Sequence, residues 1–135
     1  MRKRILLVIW LIGIIFPMAW LGRFSSRYHN FFNALFSPEW VHWVMHAGLY
    51  TGLVILVICA FNLDSSGKTV VIALCVALGV GIVQESLQLL SGVQVLRWNT
   101  LLDLGVDSAG ALAGYGLVWG VAKRREEKLS SRRER

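Results

Sequence analysis

Glu85, Gln88, Arg97, Asn99, Asp103 and Asp107 fall within one stretch, VQESLQLLSGVQVLRWNTLLDLGVD (83–107), of a chain that is otherwise strongly apolar. These residue types can do chemistry. Glu85 or Asp107 can act as a general acid or base when burial and a neighbouring like charge hold it partly protonated. Arg97 can grip a phosphate or carboxylate with two parallel N–H bonds. His46, in an earlier apolar segment, can relay a proton. Hard carboxylate oxygens suit Mg²⁺ or Ca²⁺, so a divalent cation between the carboxylates is an open alternative, with no metal ligand or cofactor assigned. A nucleophile motif and a phosphate loop are both missing from the sequence.

Spacing groups these side chains. His42, His46 and Tyr50 recur at i, i+4, i+8. Gly81, Glu85 and Gln88 recur at i, i+4, i+7. Asp103, Asp107, Gly110 and Gly114 recur at i, i+4, i+7, i+11. Each series lies along one side of a helix, and Gly110 with Gly114 makes a GxxxG spacing that lets helices approach closely.

The elements that must position them are membrane spans. The chain has 135 residues, 56% of them hydrophobic and 16% charged, against about 25% charged in soluble domains. A helix needs about 20 mainly apolar residues to cross the hydrocarbon. Four segments fit: 5–22, 41–62, 69–90 and 101–122. The expected fold is therefore all-α, an integral membrane four-helix bundle in a single domain, with 123–135 as a basic tail. The rival reading of the first segment is a secretory signal peptide. Its apolar run is longer than a usual signal core, and no small-x-small cleavage site follows. Pro17 falls near its outer end. Between the first two spans, Phe31, Phe32, Leu35 and Phe36 suggest a short amphipathic piece at the interface.

The net charge is +6, and eleven of the fourteen Lys and Arg lie in the start, the Lys68 loop and the tail. The positive-inside rule then places both termini in the cytoplasm and the loops 23–40 and 91–100 outside. That topology brings His46, Glu85, Asp103 and Asp107 to one depth in the outer half of the membrane, with Arg97 above them. Nucleic-acid binding is not expected, since no groove-reading pattern accompanies the basic tail. Cys59 and Cys75 read as buried thiols acting as small apolar side chains. Trp10, Trp20, Trp98 and Trp119 read as interfacial anchors, and His29 and His42 as solvated or at headgroup level.

Glu85-x-x-Gln88, Arg97, Asp103, a polar residue at 107, and Gly110 with Gly114, together with His46-x-x-x-Tyr50, resemble the VanZ-like family over about residues 40–120. Family members usually carry Asn where this chain has Asp107. The resemblance implies a small multi-pass protein of the bacterial inner membrane, associated with the cell envelope. Its founding member is linked to low-level teicoplanin resistance.

Two expectations follow from different classes. In one, the polar set is a site open to the outer face that binds or modifies an envelope lipid or lipid-linked molecule, with Glu85, Asp107 and His46 as acid–base candidates and Arg97, Gln88, Asp103, Tyr50 and Asn99 as ligand contacts. In the other, the charges lock the bundle and the protein is structural or partner-binding. Proton-coupled transport is a third alternative. It is opposed by the dryness of the cytoplasmic halves of the spans. A homo-oligomer is compatible with all three.

Overall fold

The computed structural model describes residues 1–16, 18–64, 66–90 and 98–133. Five α-helices account for most of the described chain: α1 (Arg2–Ile15), α2 (Ser26–Phe36), α3 (Glu39–Phe61), α4 (Gly67–Leu90) and α5 (Trp98–Arg133). A short 3-10 segment, Met18–Arg23, lies between α1 and α2. Three helices, α3, α4 and α5 from Leu101, are long and apolar enough to cross a membrane.

The first predicted span takes a different form. The helix expected over 5–22 ends at Ile15, and Phe16 is extended with φ −71° and ψ 120°. The next residue in the sequence is Pro17, and a proline ring pushes the residue before it out of the α region. The fourteen residues of α1 are about 21 Å long at 1.5 Å per residue, short of the roughly 30 Å of hydrocarbon. The other three spans lie close to their predicted bounds, although α5 continues as one helix through the basic tail to Arg133.

Local sequence sets the remaining boundaries. Ser25 caps α2 by accepting from the Tyr28 amide at 3.3 Å, the usual task of an N-cap hydroxyl. Asn62 ends α3 in the left-handed region (φ 51°), and the Leu63 amide returns to the Ile58 carbonyl at 3.1 Å. Asn tolerates that conformation better than most residues. In the turn that follows, Asp64 Oδ1 accepts from the Ser66 hydroxyl (2.7 Å) and the Thr69 hydroxyl (3.1 Å). Those two donors hold the Asp64 carboxyl below the usual carboxylate range, because they favour its charged form.

The helices run alternately up and down. Trp10 meets Leu49 and Arg4 lies over Phe61, so α1 is antiparallel to α3. Tyr115 donates to the Ser66 carbonyl at 3.3 Å, and Gly81 lies against Leu104, so α4 is antiparallel to α5. The pairs His42 with Asp103 and His46 with Asp107 share one offset of 61 residues, so α3 and α5 are parallel. The core is built on α3: Tyr50, Leu53, Val54, Val57 and Ile58 are buried against Ala73 and Ala77 of α4, Ala111 of α5, and Leu7 and Ile14 of α1.

Candidate functional site

Close approach of α3 and α5 creates the site. A Cβ at Gly110 would strike the Ala47 backbone, its Cα at 2.9 Å, and one at Gly114 would lie 2.6 Å from the Thr51 carbonyl oxygen. The Thr51 hydroxyl donates to the Gly110 carbonyl at 2.9 Å. Gly110 and Gly114 therefore face Ala47 and Thr51, two small-residue pairs of the same spacing. The sequence pattern showed only the α5 half. Ala47-x-x-x-Thr51 was the signal for its partner.

This seam fixes what lies above it. One turn before Gly110 on α5 comes Asp107, and one turn before that Asp103. On α3, His46 and His42 precede Ala47. His46 Nδ1–H donates to Asp107 Oδ1 at 2.8 Å, and both side chains are buried, 7% and 2% exposed. His42 Nε2 lies 3.4 Å from Asp103 Oδ2, with His42 40% and Asp103 3% exposed. The two imidazole rings are 4.4 Å apart centre to centre, and the Tyr50 ring follows 6.3 Å beyond His46. Two histidine–aspartate couples are thus stacked in parallel register, one half-exposed and one buried.

Helix α4 closes the third side. The Tyr50 hydroxyl donates to Gln84 Oε1 at 3.0 Å, and Gln84 and Glu85 are both buried. A Cβ at Gly81 would sit 3.0 Å from Asp107 Oδ2 and 3.4 Å from the Tyr50 hydroxyl oxygen. Glycine here leaves room for the polar groups of α3 and α5 to reach α4. Helix α1 supports the far side of α3: Trp10 Nε1–H donates to the Leu49 carbonyl at 2.9 Å, and its ring lies 2.6 Å from where a Gly52 Cβ would be.

Of the residues singled out in the sequence, the structure gathers His46, Tyr50, Glu85, Asp103 and Asp107 at the junction of α3, α4 and α5. Gln88 is half-buried one turn beyond Gln84. Arg97 and the side chain of Asn99 lie outside the described residues. The structure extends three of these readings and revises one. His42, expected in solvent or headgroups, is 40% exposed and is also bonded to Asp103. Gln84, which the sequence reading did not single out, accepts from Tyr50; it belongs to the same helical face as Gln88, three residues after Gly81. Trp10 packs α1 onto α3 while 37% of it stays exposed. Cys75 of α4, expected to be buried, is exposed because α4 directs much of its apolar surface away from the bundle, and Cys59 of α3 is partly buried.

Among the described residues, no group of three or more His, Cys, Asp or Glu side chains is placed to hold a metal ion. Chemically, the arrangement can hold and exchange protons. An aspartate on Nδ1 orients an imidazole and stabilises its cation, which leaves Nε2 as the nitrogen that gives or takes a proton. Comparison of the chain with family models, curated proteins and solved structures returns no match.

Proposed function

We propose that the chain is a VanZ-like multi-pass protein of the bacterial cell membrane, in which α1 packs with the three long helices α3, α4 and α5 and the basic end of the bundle faces the cytoplasm. Its polar site between α3, α4 and α5 opens to the outer face and binds a cell-envelope lipid or lipid-linked molecule. The carrying observation is the gradient along the two couples: His42 is 40% exposed above a His46–Asp107 couple that is almost fully buried. Lone ionisable groups in hydrocarbon cost about 2.5 to 3.5 kcal/mol each on insertion scales, so they collect where they pair or meet water. Three acids and two histidines in one layer give a mouth that a polar headgroup can enter, with acyl chains lying along the apolar helix surfaces outside. His46, Asp107 and Glu85 supply the acid–base groups that any modification of that headgroup would use. Arg97 enters this reading through its sequence position next to the site, as the residue for an anionic group.

A second reading is favoured by one specific observation. The couples sit directly above the Gly110–Ala47 seam and satisfy each other, as groups that lock a bundle would. Native mass spectrometry of the protein released from its own membrane in mild detergent separates the two. Wild type is run beside Glu85→Gln and His46→Gln. A discrete bound mass, lost in both variants while their thermal stability holds, supports the ligand site. Empty wild-type protein, with both variants less stable, would leave the couples as a structural lock.

A further inference from the structure

The structure assigns His42 and Asp103 a task that the ligand reading does not contain: we infer that this couple is the port through which protons reach the buried His46–Asp107 couple. The inference stands independently of which molecule, if any, the site binds.

The geometry is that of a two-step stair. His46 has little contact with solvent, and Asp107 beside it has less (7% and 2% exposed). Any proton that changes the charge of this couple must be handed in by a neighbour. The charged or titratable groups facing His46 among the described residues are Asp107 and Asp103 of α5, Glu85 of α4, and His42 and Tyr50 of α3. On the far side of α3, helix α1 brings Trp10, Leu7 and Ile14, none of which titrates. Of the groups in this set, His42 alone joins substantial exposure (40%) to a ring 4.4 Å from that of His46. Asp103 is as buried as Asp107, and Tyr50 lies on the inward side, fully buried. The way in therefore runs over His42.

The transfer balances without a further reactant beyond water. A proton from bulk water binds the His42 nitrogen that is turned away from Asp103, which makes an imidazolium whose charge Asp103 holds. His42 then releases a proton, directly or through one water molecule, to Nε2 of His46. His42 returns to neutral, and His46 becomes an imidazolium held by Asp107. One proton has moved from water to the buried couple, no covalent bond between heavy atoms has changed, and the reverse sequence discharges it. The constant offset of 61 residues means that each ring carries its own carboxylate through the exchange. Asp103 thus acts as a positioning residue for His42, not as a carrier.

The test uses the full chain in lipid nanodiscs with ¹⁵N-labelled histidine. There are three histidines in the sequence, so single substitutions assign every imidazole signal. The rate of proton exchange at the His46 ring is measured across neutral pH in wild type, His42→Phe and Asp103→Asn. The expected result is exchange slowed about tenfold or more in His42→Phe, as for loss of a dedicated relay. Asp103→Asn should fall between that variant and wild type, with the His46–Asp107 hydrogen-bonded signal retained in both. An unchanged rate in His42→Phe would overturn the inference, since protons would then reach His46 by another route. Should His42→Phe fail to fold, Asp103→Asn decides alone: a wild-type rate there removes the port.

Discussion

At the scale of single residues, the His46–Asp107 bond is the point where stability and chemistry meet. A buried donor left without its acceptor costs about 1 to 3 kcal/mol, whereas interhelical hydrogen bonds in membranes average near 0.6 kcal/mol. Asp107→Ala, which strands His46 Nδ1–H, should therefore destabilise the protein by about 1 to 3 kcal/mol. Asp107→Asn keeps an oxygen in place and should lose less than about 1 kcal/mol. Thermal unfolding in one detergent, followed by circular dichroism, reads both. Equal and negligible shifts would mean that the couple contributes little to holding α3 on α5. The asparagine variant also bears on function, because Asn is the usual residue at this position in the family we propose for the chain. Unimpaired proton exchange at His46 in Asp107→Asn would exclude the second aspartate as a required proton carrier. The types and periodicities of these residues were legible in the sequence; their partners were not. His42 reads as an interfacial histidine until the offset between α3 and α5 is known, and that offset is set by backbone contact at Gly110 and Ala47. Each helix carries its half of the small-residue seam, but neither half says which turn of the other it meets.

Helices make the same point through their glycines. Gly110 and Gly116 are both glycines of α5, yet a Cβ at Gly110 collides with the Ala47 backbone and one at Gly116 meets nothing. Overpacking a tight contact costs about 1 to 3 kcal/mol. Gly110→Ala should lower the melting temperature and disturb the His46 and His42 imidazole signals together, because both couples depend on the seam. Gly116→Ala should leave both unchanged or raise stability by up to about 1 kcal/mol through the intrinsic helix preference of Ala. If the two variants behaved alike, close α3–α5 packing would not be what sets the register. The α3–α4 turn carries a separate prediction. Asp64 is held below the usual carboxylate range by Ser66 and Thr69, so its folded-state pKa lies below its unfolded one. The stabilisation from this turn is then full above the ordinary carboxylate range of about 4 and is lost as pH falls through the lowered value. Thermal melts from neutral to strongly acidic pH should show an acid-sensitive component in wild type that Asp64→Asn lacks. The first helix shows where sequence reading stopped short: its apolar run continues past Pro17, so hydropathy alone draws one span over 5–22, while local sterics before proline end the α-helix at Ile15.

For the whole molecule, the alternation of helix directions converts a charge count into a topology. Arg4 lies over Phe61 at one end of α3, and Tyr115 donates to the Ser66 carbonyl beside the start of α4. The first residues of α1, the α3–α4 turn and the exit of α5 therefore share one end of the bundle. That end carries Arg2, Lys3, Arg4, Lys68 and the basic run from Lys123, and the His42–Asp103 couple marks the other. The apolar stretches were legible because hydrocarbon length is a one-dimensional constraint. The bundle's internal pairings were less so, since they depend on how far one helix is slid along another: Gln84 and Gln88 share a face one turn apart, and only the packed structure shows that Gln84 is the one level with Tyr50. Positive charge close to span ends is retained in the cytoplasm during insertion, so the basic end should face inward. The prediction is tested in a background lacking native thiols, Cys59→Ala with Cys75→Ala. A cysteine at Asn30, exposed on α2, should react with a membrane-impermeant maleimide in intact cells. A cysteine at Ser130, exposed near the end of α5, should react only after permeabilisation. The reverse pattern would invert the bundle, place the two couples at the cytoplasmic face, and move any headgroup that enters them to the inner leaflet. Labelling of Ser130→Cys alone in intact cells would argue the same way. Labelling of both positions without permeabilisation would put an even number of crossings between them, leaving one of the three long helices outside the bilayer.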